Sequence, residues 1–124
     1  MKRVLVLMAF VLMSITAMAQ EQTAAAPDGN DYSIIKDELV DGVRYVTAAP
    51  SAKVCSKQID SQIRGGVILS VVYTRGCEGN AKGIGALIKD MPVQEAIRRL
   101  EGITCGKRPT SCPDQLARIL KSLK

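Results

Sequence analysis

Val54-Cys55-Ser56-Lys57-Gln58-Ile59-Asp60-Ser61-Gln62-Ile63-Arg64-Gly65-Gly66-Val67-Ile68-Leu69-Ser70-Val71-Val72-Tyr73-Thr74 is the stretch that decides the fold. Two strand-like runs flank a Gly-Gly pair, and glycine supplies the positive φ angles that a two-residue hairpin turn demands. With Gly65 and Gly66 as the loop, Ile63 faces Ile68, Ser61 faces Ser70 and Ile59 faces Val72. Those pairs share the more apolar face. The same register sets Cys55 opposite Gly76, with Cys77 diagonal to Cys55. Cross-strand neighbours lie roughly 5 Å apart and diagonals roughly 7–8 Å. Two cysteines distant in sequence are thus expected to meet at the open end of one hairpin.

Before the hairpin, Val43-Arg44-Tyr45-Val46-Thr47 is rich in strand formers and is expected as a first strand, ended by Pro50. Beyond it, Gly76-Cys77-Glu78-Gly79-Asn80 reads as a loop. A short helix then carries Ile84, Leu87, Ile88 and Met91 on one side, and Pro92 stops it. Val93, Ala96, Ile97 and Leu100 keep helical spacing, and Gly102 is the natural end signal. Ser111 and Asp114 fit a capping pair for a last helix with Pro113 in its first turn and Leu116, Ile119, Leu120 and Leu123 as its buried stripe. The order is β-β-β-α-α-α: an α+β domain with three helices packed on one face of a small antiparallel sheet.

The chain opens Met1-Lys2-Arg3, continues with an apolar run from Val4 to about Ile15, and reaches Ala17-Met18-Ala19. That is the pattern of a secretory signal peptide spanning residues 1–19, so the mature protein is expected to be exported, periplasmic or secreted. No later run is long enough to span a membrane as a helix. Residues 20–42 hold six acids and one base, and are expected as an acidic disordered linker, with a transient helical turn over Tyr32–Val40. Residues 43–124 hold fourteen bases and six acids and are expected to form the folded domain. Its core is thin, with Tyr45 and Tyr73 as the expected core aromatics, and small domains of this kind often need a covalent or metal staple.

The chain has four cysteines and no histidine. It cannot by itself make a Ser–His–Asp triad, a Cys–His pair or a mixed Cys/His zinc site. Cys105 and Cys112 are separated by Gly106-Lys107-Arg108-Pro109-Thr110-Ser111, which is neither a redox C-x-x-C nor a standard zinc-knuckle spacing. Cys112 opens the last helix, where free N–H groups and the helix dipole favour the thiolate that binds metal or attacks disulfides. Lys107 and Arg108 push the same way. Two uses of the sulfurs stay open: a pair of disulfides, usual for a small exported protein, or a four-thiolate site on Cys55, Cys77, Cys105 and Cys112. Zinc is the ion that such a set suits, and an iron–sulfur centre ranks behind it. A redox relay with Cys112 attacking and Cys105 resolving lacks an evident general base. The basic residues Arg98, Arg99, Lys107, Arg108 and Arg118 lack the aromatic stacking surface of a nucleic-acid binder.

Several of these segments together resemble the standalone four-cysteine members of the TSCPD-domain family. They are Val54-Cys55-Ser56, Gly65-Gly66, Gly76-Cys77-Glu78-Gly79-Asn80, Gly83-Ile84, Gly102-Ile103-Thr104-Cys105-Gly106 and Thr110-Ser111-Cys112-Pro113-Asp114-Gln115-Leu116-Ala117. In that family the domain also ends adenosylcobalamin-dependent ribonucleotide reductases, and standalone copies carry the reductase's name by similarity. The resemblance implies that Cys55, Cys77, Cys105 and Cys112 form one site, and it favours metal over disulfides. It also implies a link to ribonucleoside-diphosphate reduction and DNA precursor synthesis. That reaction needs a large barrel, a cobalamin radical source and a reducing cysteine pair. The chain has no room for these, so no cobalamin and no stand-alone reductase activity are expected. The expected role is an accessory or binding module for a protein partner or a nucleotide-bearing ligand, with Lys107, Arg108 and Asn80 as candidate contacts.

Overall fold

The computed structural model describes residues 31–123; the expected signal peptide and the start of the expected linker lie outside them. Four strands precede three helices: β1 (Ser33–Val40), β2 (Val43–Ala49), β3 (Gln58–Arg64), β4 (Val67–Thr74), α1 (Glu78–Ile88), α2 (Val93–Leu100) and α3 (Cys112–Ser122). The sheet is an antiparallel meander in the order β1-β2-β3-β4. The expected α+β class and the three helices are present.

One strand is new. Residues 33–40, expected as a helical turn within the linker, form β1 and pair with β2 along their length. The folded part therefore begins ahead of Val43. The turn residues Asp41 and Gly42 both have positive φ, 51° and 79°, the backbone of a tight two-residue hairpin. An Asp-Gly turn was present in the sequence; the acidic residues around it hid the strand.

The β3–β4 hairpin turns at Gly65 and Gly66 as expected, with φ of 56° and 76°, and Ile63 faces Ile68. The register then slips by one residue. Gln62 faces Ser70, Ser61 faces Val71 and Ile59 faces Tyr73, correcting the expected Ser61–Ser70 and Ile59–Val72 pairs. The extra residue is Leu69. Ile68 and Val71 are three apart and both buried, which a regular strand with period two cannot achieve; the bulge turns both inward. Val72 is left outside, 56% exposed.

The core lies between one face of the sheet and the helices. Val46, Ala48, Ile59, Ile63, Ile68 and Val71 meet Ile88 of α1, Ala96 and Ile97 of α2, and Leu116, Ile119 and Leu120 of α3. Tyr73 packs against this cluster, whereas Tyr45 lies partly exposed among the non-core residues of β2, so only one of the two expected core aromatics serves. On α1, Ile88 is buried and Ile84 packs on the core, but Leu87 is 78% exposed. α1 sits very close to β4: a Cβ built on Gly85 would lie 2.7 Å from the Val71 carbonyl oxygen. The segment after α1 covers the start of the outer edge of β4, with Ile68 N–H donating to Met91 O (2.9 Å) and Asp90 N–H to Ile68 O (2.8 Å).

A candidate four-cysteine site

The four cysteines come from three connections that meet at one end of the domain. Cys55 lies between β2 and β3, Cys77 immediately precedes α1, Cys105 lies between α2 and α3, and Cys112 opens α3. All four line a single cavity of about 490 Å³, together with Ser56, Tyr73, Arg75, Asn80, Ile84 and Arg108 among others. Cys55 and Cys77, expected to meet at the mouth of the hairpin, both line this cavity, by a route that the sequence register did not give. After the Leu69 bulge, Gly76 comes beside Ser56. A Cβ there would stand 3.4 Å from Ser56 N and 3.5 Å from Cys55 Cβ, at a φ of 97°. Arg75 before it also has a positive φ, 68°. Two successive left-handed residues swing the chain out of β4 and leave Cys77 at the head of α1.

The second pair is held by the residues around it. Ser111 caps α3, its Oγ accepting from Asp114 N–H (3.1 Å) and donating to Ile103 O (2.7 Å). Asp114 is buried, and its carboxylate accepts from Gly102 N–H (2.7 Å), Thr110 Oγ1 (2.6 Å) and Arg118 Nε (2.8 Å). Gln115, also buried, donates to Thr110 Oγ1 (3.0 Å) and accepts from Ser51 N–H (3.0 Å), which ties the loop before β3 to α3. Cys105 N–H donates to Thr110 O (3.3 Å), and Arg108 N–H to Cys105 O (3.0 Å). In Thr110-Ser111-Cys112-Pro113-Asp114, the neighbours of the cysteine build the loop and cap the helix. Cys112 itself lines the cavity, with Ser111 and Pro113.

Two sulfurs receive donors. Ser56 Oγ lies 3.1 Å from Cys112 Sγ, and Arg108 Nη1 lies 3.2 Å from Cys55 Sγ. The hydrogen bond to Cys55, and then the charges of Cys55, Cys105 and Cys112, raise the Arg108 guanidinium above the ordinary arginine value. The Tyr73 hydroxyl donates to the Cys112 carbonyl (3.5 Å). Burial, reinforced by the charge of Cys112, pushes that phenol well above the usual tyrosine value. Cys55, Cys77 and Cys105 are exposed, Cys112 is half-buried, and all four are free thiols. Among the described residues, no three His, Cys, Asp or Glu side chains already form a group able to hold a metal ion.

Of the candidate contacts, Arg108 and Asn80 line the cavity, while Lys107 lies with Arg108 on a neighbouring groove. Sequence reasoning missed Ser56, Tyr73 and Arg75. Ser56 had a signal, since it follows Cys55 directly; the other two owe their place to the bulge and the turn after β4. Arg98 and Arg99 both pair with Glu95, and Arg118 with Asp114, so these bases are engaged within the domain.

The family model of the TSCPD domain matches residues 32–124. The chain belongs to the TSCPD family. The match starts just before β1, in agreement with the structure and ahead of the expected boundary at residue 43. No curated protein and no solved structure matches the chain. No helix among the described residues is long and apolar enough to cross a membrane.

Proposed function

We propose that this TSCPD domain is a metal-binding accessory module in which Cys55, Cys77, Cys105 and Cys112 together hold one ion. The supporting observation is the presence of all four cysteines, from three separate connections, in the lining of one cavity. The donor set fits the proposal. Four thiols without histidine suit the soft, tetrahedral coordination of zinc, with an iron–sulfur centre as the lesser choice. Arg108 and Ser56 already donate to two of the sulfurs, as outer partners of thiolate ligands do. Three of the four thiols are exposed, so ligation would ask their side chains to turn without disturbing packed core. Bound there, zinc would supply a non-redox cross-link between the β2–β3 loop, the head of α1 and the α2–α3 loop.

On this reading the domain is not itself a catalyst. It is exported behind the signal-type start at residues 1–19, and it serves a larger protein or a nucleotide-bearing ligand through the face around Arg108 and Asn80. The test is metal analysis with thiol counting on protein purified from its native compartment. About one zinc per chain is expected, with a chelator lowering the unfolding temperature. Metal-free protein that stays equally stable under reducing conditions and takes up no zinc would overturn the proposal. Protein with no alkylatable thiols would replace it with a disulfide-stapled interaction domain.

A further inference from the structure

The two edges of the sheet are treated differently. The edge of β4 is covered at its start, where Ile68 exchanges backbone hydrogen bonds with Met91 and Asp90 and Val67 bridges to Pro92. β1 forms the opposite edge, and no strand among the described residues pairs with its outer side. All eight of its residues are exposed, including Ile35 at 62% and Leu39 at 74%. A long, open, apolar edge is a template for another strand, and proteins that do not use one normally shorten or cover it.

We propose that β1 is a dimer interface, pairing antiparallel with β1 of a second copy to make one eight-stranded sheet. The register follows from geometry and charge. A two-fold axis perpendicular to a continuous sheet keeps every side chain on its own face. The new ladder must therefore be centred on a residue, not between two residues. Centred on Lys36, it opposes two lysines and sets the bulge at Ile35 against Asp37. Centred on Glu38, it opposes two glutamates and sets Leu39 against Asp37. Centred on Asp37, it sets Lys36 against Glu38 twice, with Leu39 beside the bulge at Ile35. The segment Lys36-Asp37-Glu38, beyond the bulge, is thus self-complementary in charge about its middle residue.

The two central Asp37 carboxylates would repel if bare. Each is already held by Arg44 of β2, through Nε at 2.7 Å and Nη2 at 2.6 Å, and this pairing holds the carboxyl below the usual aspartate range. The centre of the interface is therefore two ion pairs. Lys36 and the bulge at Ile35 are devices that discourage indiscriminate edge pairing. They leave the one register in which Lys36, already paired with Glu38 of its own strand at 3.1 Å, also faces Glu38 of the second copy.

The test is sedimentation equilibrium over a range of concentrations on protein purified in its natural form, with hydrogen exchange at β1. The wild type is expected to be a dimer, with β1 amides protected more strongly as concentration rises. Lys36→Glu places like charges opposite each other twice and is expected to weaken the dimer roughly tenfold or more. The swap Lys36→Glu/Glu38→Lys restores the complementary pairs and should restore the dimer. Unfolding curves confirm that both variants are folded. The proposal fails if the wild type is monomeric at all concentrations, or if Lys36→Glu leaves a dimer unchanged. It fails equally if the swap does not rescue a folded Lys36→Glu variant. Concentration-independent protection of β1 in a monomer would also overturn it, because the edge would then be covered by the chain's own residues.

Discussion

Replacing Asp114 by Ala tests whether the loop carrying Cys105 and Cys112 is built from α3. The carboxylate is 1% exposed and accepts from Gly102 N–H, Thr110 Oγ1 and Arg118 Nε, all within 2.8 Å. Hydrogen bonds to a charged group contribute roughly 1.5–3 kcal/mol each, and removing one side of a buried pair costs about 3–5 kcal/mol. Part of the gross sum is returned, because alanine no longer requires a buried carboxylate to be desolvated. A net loss of about 3–5 kcal/mol is the expectation for Asp114→Ala. Asp114→Asn keeps the shape and one acceptor, so it can still receive Gly102 N–H. Its amide nitrogen cannot accept from Thr110 or Arg118, and a loss of about 2–3 kcal/mol is expected. Small domains have only about 5–15 kcal/mol in hand, so both effects stand clear in a urea titration followed by circular dichroism. Faster alkylation of Cys105 and Cys112 under native conditions should accompany the loss, since Gly102 and Thr110 flank their loop. An Asp114→Ala variant within about 1 kcal/mol of wild type would refute the reasoning.

Two other perturbations probe the supports of the site. Gly85→Ala puts a methyl 2.7 Å from the Val71 carbonyl oxygen, so α1 must shift off β4; a loss of about 1–3 kcal/mol is expected in thermal unfolding, and an unchanged midpoint would show that α1 yields freely. Tyr73 sets an alkaline limit: its folded value is raised, so its contribution is whole below the ordinary tyrosine value of about 10 and is lost as pH climbs toward the folded value. Stability should fall above about pH 10 by up to about 1.4 kcal/mol per pH unit, and by less in Tyr73→Phe. A wild type and Tyr73→Phe with the same alkaline profile, read by unfolding at each pH, would contradict that assignment.

The parts of this protein legible in its sequence are those governed by near neighbours in the chain. The Gly65-Gly66 turn, the Ser111–Asp114 cap and the helical stripes each depend on backbone angles or spacing within a few residues. That the four cysteines share one end of the domain was legible only in outline, because the bulge at Leu69 and the turn at Arg75-Gly76 set the route of Cys77. β1 was not legible. Ser33–Val40 carries three charges among its eight residues and is exposed throughout, so no alternating pattern marks it. Pairing with β2 makes it a strand.

Sequence alone determined the class of fold, the four sulfurs and the turns that gather them, since turn and cap chemistry is local. Tertiary structure alone decided the bulge at Leu69, the placing of Ser56 and Arg108 against two thiols and of Tyr73 against the Cys112 carbonyl, and the open edge of β1. Those depend on which faces the core must fill. Burying both Ile68 and Val71 is a demand of packing that no stretch of chain states by itself.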